Sequence, residues 1–247
     1  MRRLRVLTTQ EEIVPDRLPG STAVVIDVML ATTTLVTIIE NGARRVFPVG
    51  TLRDAERLCA TLDPASLVRG GEQDALPIDG YECGPFPHEF HRGAVRDRDV
   101  VFVSTNGTRA IAGSAGASRV LVASLRNAPA VARYLAAAEP DSLYIVCAGS
   151  MGRFALEDFA CAGVLLRELG ADDWRMNDGA WLALETAERY SGREDELLRT
   201  SRAGRWFLEH GQEEKLDFVA SIGASDVVAE MRDGQLVRAE GTHSEAV

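Results

Sequence analysis

Three stretches of this chain share one plan: an apolar run of strand length, a turn of small polar residues, then a helix-like segment. They are AVVID/VMLATTT/LVTIIENG from residue 23, DVVFV/STNGTR/AIAGSAG from residue 99, and SLYIV/CAGSMGR/FALEDFACAGVLLRELG from residue 142. Short continuous β-branched runs suit strands covered on both faces, as in parallel sheets. Their alternation with helices points to right-handed βαβ units. The pattern predicts an α/β fold, in which repeated βα units form largely parallel or mixed sheets with helices on both faces.

The first two stretches also continue alike. NGARRVFPVGTLRDAERLCATL and AGASRVLVASLRNAPAVARYLAAA both read as a helix end, an Arg-Val strand and a Leu/Ala-rich amphipathic helix. An internal duplication offset by about 75 residues accounts for this. The 247 residues then form a single α/β unit of two similar subdomains, about 1–90 and 91–247. Between the units, 70–93 is rich in Gly and Pro and reads as a long loop, a place where function tends to sit. Residues 178–210 read as helices, VVAEMRDGQLVRAE as a hairpin about Asp-Gly, and GTHSEAV as a loose tail.

The net charge of −10 argues against nucleic acid or anionic membrane as a partner. An anionic small substrate must then be captured by local positive charge or by a metal. No apolar run reaches the roughly 18 residues of a membrane helix, and MRRLRVLTTQEEIVPD turns acidic too early for a signal peptide. A cytoplasmic location is expected. The four cysteines lack CxxC spacing, against a zinc ribbon or a disulfide framework. Nothing in the sequence argues against a homodimer.

Ligands of open α/β sheets bind beyond the C-terminal ends of parallel strands. The three turns should meet there. The first brings Asp27 with Thr32 and Thr33. The second brings Ser104, Thr105, Asn106, Gly107, Thr108 and Arg109, and the third Gly149 and Arg153. Hydroxyls, amides and helix N-termini suit an anion such as phosphate, although each turn alone would also serve as a helix cap. The acids add the sharper signal. Asp27 ends an apolar strand, Glu72 comes after a double glycine, and Glu157 and Asp158 lie one to two turns into the third helix among Phe154, Leu156 and Phe159. Mg²⁺ is held by one or two carboxylates plus substrate phosphate, so Asp27, Glu157 and Asp158 are candidate ligands. A solvated helix face is the plainer account of Glu157 and Asp158.

Other chemistries find less support. There is no GxxxxGK[ST], and GSMGR is too short for a dinucleotide fingerprint. His88 and His91 have metal-like spacing but no third histidine nearby. Cys147 sits at a strand end, yet Arg153 falls one position too far along for a Cys-to-Arg phosphate loop.

DVMLATTTLVTIIENGA, GGEQ, STNGTRAI and CAGSMGRFALEDFACAG resemble, in order and spacing, the motifs of the 2-phosphosulfolactate phosphatase family. A weaker echo lies in RAGRWFLEHGQEEKLDFVAS. The resemblance implies an α/β fold of its own kind. It also implies Mg²⁺-dependent removal of phosphate from 2-phosphosulfolactate, giving sulfolactate on the way to coenzyme M. It places Asp27, Glu72, Asn106, Glu157 and Asp158 in the active site, with Glu72 as general base or further ligand. Two family arginines are absent: Leu30 stands in one position and Gln73 in the other. A substrate less anionic than 2-phosphosulfolactate fits that change. So does a non-catalytic relative that binds a phosphorylated ligand.

Overall fold

The computed structural model describes residues 1–74 and 76–239. The chain opens with β1 (Arg3–Leu7), β2 (Thr22–Ile26), α1 (Ala31–Glu40), β3 (Arg45–Val49), α2 (Leu52–Cys59) and β4 (Leu67–Gln73). The short β5 (Leu76–Pro77) and α3 (Arg92–Val95) lead to β6 (Asp99–Val103), α4 (Gly107–Gly113), β7 (Arg119–Ala123), α5 (Ala128–Ala138) and β8 (Ser142–Cys147). Next come α6 (Leu156–Leu169), β9 (Arg175–Met176), α7 (Asp178–Arg189), α8 (Glu194–Thr200), α9 (Arg202–Glu209) and α10 (Glu213–Ala220). The strands β10 (Ala229–Arg232) and β11 (Gln235–Arg238) close the described chain as a hairpin. Its turn residues Asp233 and Gly234 both take positive φ, as a two-residue hairpin turn demands. The predicted tail 241–247 lies outside the described residues.

These strands form one mixed sheet in the order β5-β4-β6-β3-β11-β10-β7-β2-β8-β1-β9. Two parallel blocks flank the antiparallel hairpin: β7, β2, β8, β1 and β9 on one side, β3, β6 and β4 on the other. The α/β reading of the sequence therefore holds, with the sheet mostly parallel.

The two halves follow one order of elements and exchange strands. The β2-α1-β3-α2-β4 run matches β6-α4-β7-α5-β8 at an offset of about 75 residues. Yet β2 pairs with β7 and β8, while β6 pairs with β3 and β4. Each half thus lends its first strand to the other. A cut near residue 90 divides neither the sheet nor its cores, because both large apolar clusters draw on residues from both sides of it.

Side chains alternate across the sheet as the period of two requires. Val24 and Ile26 of β2 join the cluster under α5, α6 and α7, and Val25 joins the cluster under α1 and α4. Helices therefore cover both faces. Phe102 is fully buried against Phe90, with ring centroids 5.8 Å apart. Truncating such a core phenylalanine costs about 3–5 kcal/mol. At the start of β6, the buried Asp99 carboxylate takes Arg44 Nη2 at 2.7 Å and also binds Arg45, which ties β3 to β6. These guanidiniums hold Asp99 well below the usual carboxylate range.

The 70–93 stretch is not all loop. Gly70 to Gln73 complete β4, because Gly70 and Gly71 pair with Phe102 and Val103 of β6. Gly71 has φ +121°, and a Cβ there would lie 1.9 Å from the Val103 carbonyl oxygen. Glycine is thus a packing requirement here rather than a mark of flexibility. Among the described residues no helix is long and apolar enough to cross a membrane.

Candidate active site

The turns after β2, β4, β6 and β8 come together, although β2 and β6 stand five places apart in the sheet order. Asp27 and Gly107 are closely apposed. A Cβ built on Gly107 would lie 2.7 Å from Asp27 Oδ2 and 2.5 Å from Ala31 Cβ. Only glycine lets the α4 N-terminus sit this close to the Asp27 carboxylate.

Four carboxylates share this space. Glu72, Glu157 and Asp158 are 3%, 7% and 2% exposed, whereas Asp27 is half-buried and keeps an open face. Burial, then the neighbouring Glu72 and Glu157, push Asp27 up to about 7, while the Gly107 and Ala31 amides pull it down. Burial, then Asp27 and Glu157, raise Asp158 well above the carboxylate range. Burial also raises Glu157, which the Ser201 hydroxyl and the Arg202 charge partly offset. Among the described residues, no lysine or arginine ion-pairs with Asp27, Glu157 or Asp158.

Each acid is held differently. Glu72 belongs to β4, not to a loop. Thr105 donates to it twice, from its amide to Oε1 at 2.5 Å and from its hydroxyl to Oε2 at 2.9 Å. Asp158 and Glu157 occupy the first turn of α6, not a later one, and they are buried rather than on a solvated face. Asp158 Oδ1 accepts the Val28 amide at 2.8 Å and Oδ2 the Gly149 amide at 3.1 Å. It is therefore a clasp between the turns after β2 and β8, with one amide on each carboxylate oxygen and the remaining lone pairs left over. Among the described residues, no group of three or more His, Cys, Asp or Glu is set to hold a metal ion.

The Thr triplet also differs from expectation. Thr32, Thr33 and Thr34 lie inside α1, whose N-cap is Leu30, and none caps it. Their hydroxyls donate to the carbonyls of Asp27, Val28 and Pro85 at 2.8, 2.6 and 2.7 Å. Thr32 Oγ1 accepts the Asp27 amide as well. The buried Thr32 and Thr33 hydroxyls thus fix the Asp27 turn, and that of Thr34 ties α1 to Pro85. The second half repeats the device: Thr108 Oγ1 donates to the Ser104 carbonyl at 2.7 Å, and Ser104 Oγ accepts the Thr108 amide.

The remaining candidates divide. Asn106 Oδ1 accepts the Met151 amide at 3.2 Å, which joins the turns after β6 and β8 and leaves its Nδ2 without a partner among the described residues. The Gly149 amide is spent on Asp158. Arg109 and Arg153 are exposed and make no ion pair with a described residue; Arg109 packs its stem towards Gly50. Burial pushes the fully buried Cys147 thiol well up, which disfavours the reactive thiolate. Leu30 packs against the apolar cluster, and Gln73 is exposed at the end of β4.

Sequence reasoning missed Ser201 and Arg202, which reach Glu157 from the start of α9. Their one signal was that RAGRWFLEH belonged to the weaker resemblance.

A model of the 2-phosphosulpholactate phosphatase family matches residues 7–234. A probable 2-phosphosulfolactate phosphatase of Symbiobacterium thermophilum is 40% identical over 227 residues, 91% of this chain and 97% of the relative. One from Deinococcus radiodurans is 38% identical over 96% of each chain. One from Clostridium perfringens is 32% identical over 96% of this chain and 97% of its own. With a matching region that spans every site element from β2 to α10, the chain belongs to the 2-phosphosulpholactate phosphatase family.

Proposed function

We propose that the protein is a Mg²⁺-dependent phosphatase that hydrolyses the phosphate monoester of a small hydroxy acid, 2-phosphosulfolactate or a close relative. The feature that carries this reading is the part-exposed Asp27 amid three more carboxylates, with no ion pair to a lysine or arginine among the described residues. Packing like charges out of water is costly unless they are protonated or neutralised. A divalent cation with phosphate is a natural way to neutralise them.

The donor chemistry fits Mg²⁺, which takes hard oxygens and needs only one or two carboxylates beside substrate oxygens. Asp27, Glu157 and Asp158 would hold it, Asp158 through the lone pairs that its two amide bonds leave over. Once bound, the ion supplies charge neutralisation and polarisation at the phosphoryl group. The chain's own residues do the rest. Thr105 orients Glu72, and a carboxylate offers about four lone-pair sites, so Glu72 can take the proton of the attacking water. Asn106 Nδ2, on the turn after β6, and the Arg202 guanidinium, at the start of α9, are donors that suit phosphoryl oxygens.

Phosphate release from 2-phosphosulfolactate, with Mg²⁺ and with excess EDTA, tests the reading. Release that stops with EDTA and returns with Mg²⁺ supports it. Ligand-dependent thermal stabilisation without release would favour a binding protein instead.

A further inference from the structure

A cavity of about 340 Å³ opens between the turn after β2, residues 86–88, α9 and α10, within the size range of ligand sites. Its walls are mostly apolar and include Met29, Phe86, Phe207 and Phe218. Two links join it to the site. Met29 lies two residues after Asp27. Phe207 lies on α9, whose N-cap Ser201 offsets the raised Glu157, and it shares one apolar cluster with Met29.

Lys215, the chain's sole lysine, lines this cavity. Its ammonium stands 3.6 Å from the centroid of the Phe86 ring. Although Glu214 lines the same space, Lys215 forms no ion pair with a described residue and is half-buried. An ammonium held over an aromatic face in a mostly apolar recess favours an anionic partner.

We propose that this cavity receives the end of the substrate remote from phosphorus, and that Lys215 is a specificity-determining residue pairing with an acidic group there. The inference rests on the phosphatase reading and narrows it. The favoured substrates are phosphate esters of hydroxy acids in which an apolar body carries a second carboxylate or sulfonate. A cation–π contact that merely braces Phe86 would affect stability alone and would not distinguish substrates.

The test compares the phosphate esters of lactate, malate and 3-(4-carboxyphenyl)lactate on the full chain and on Lys215→Ala and Lys215→Arg. The two esters with a distal carboxylate should lose roughly 10- to 100-fold in kcat/KM with Lys215→Ala, chiefly through KM, and that loss should exceed the loss for the lactate ester at least tenfold. Lys215→Arg should recover most of it. Equal losses across the three esters, or none, would overturn the assignment. Calorimetric binding of the unphosphorylated diacids separates the two ideas. Lys215-dependent binding without turnover would keep the assignment and remove the phosphatase. Binding indifferent to Lys215, or no binding, would remove the assignment even if phosphate is released.

Discussion

Thr105 grips Glu72 with both its amide and its hydroxyl, at 2.5 and 2.9 Å, so one residue of the β6 turn orients the one acid that β4 contributes. The hydroxyl also accepts the Asp74 amide at 2.9 Å. Thr105→Val keeps the amide bond and removes the rest. We expect kcat to fall roughly tenfold or more with KM little changed, and Thr105→Ser to restore it. A shift in melting temperature with kcat intact would reduce Thr105 to a structural role.

Gly107→Ala places a methyl group where Asp27 Oδ2 and Ala31 now sit. The fold should survive, because the clash is with one side chain and the edge of a helix. The Asp27 carboxylate must move, and misplacement of about an ångström costs on the order of a hundredfold in rate. Steady-state kinetics beside a melting curve checks this; full activity in a folded variant would contradict the close approach.

Asp158 and Asp27 should respond in opposite ways to the same substitution. Asp158→Asn replaces an acceptor of two buried amides by a group with one oxygen, and should destabilise by about 1–3 kcal/mol. Asp27→Asn removes a carboxylate that its neighbours repel, so metal-free protein at pH 8 should melt higher. Denaturant midpoints for both variants decide the matter.

Asp27 binds its proton more tightly in the folded chain, where it titrates at about 7 against 3.8 ordinarily. Between those values the native state holds the extra proton, so metal-free stability should fall as pH rises through that window and level off above it. Asp27→Asn should flatten the decline, and Mg²⁺ should offset it. Asp99 acts in the other direction: its ion pairs lower its affinity for protons, and their contribution fades as pH drops below the ordinary aspartate range. Urea midpoints from pH 4.5 to 8 in EDTA test the first effect; a stability that climbs across that range, equally in Asp27→Asn, would refute it.

The strands β2, β6 and β8 were legible because each is a continuous apolar run, and the β10–β11 turn because Asp-Gly tolerates positive φ. Asp27, Glu72, Glu157 and Asp158 were legible as acids in apolar or glycine-rich settings. What each carboxylate does was not. That Asp158 accepts two amides depends on backbone beyond β2 and β8 that only folding brings near. The Thr triplet misled because threonine at a helix start usually caps, whereas here the hydroxyls reach back to Asp27 and Val28. Glu72 read as loop because paired glycines look flexible, yet Gly71 is required by its approach to Val103. The strand exchange left no trace in either repeat, since pairing partners are chosen by packing across the whole sheet.

The most direct test of the central claim is phosphate release from 2-phosphosulfolactate by the wild-type protein and by Asp27→Asn, each with Mg²⁺ and shown to be folded. The account predicts Mg²⁺-dependent turnover that falls at least about a hundredfold in the variant. Equal turnover by the two proteins, or wild-type release that ignores Mg²⁺, would contradict it.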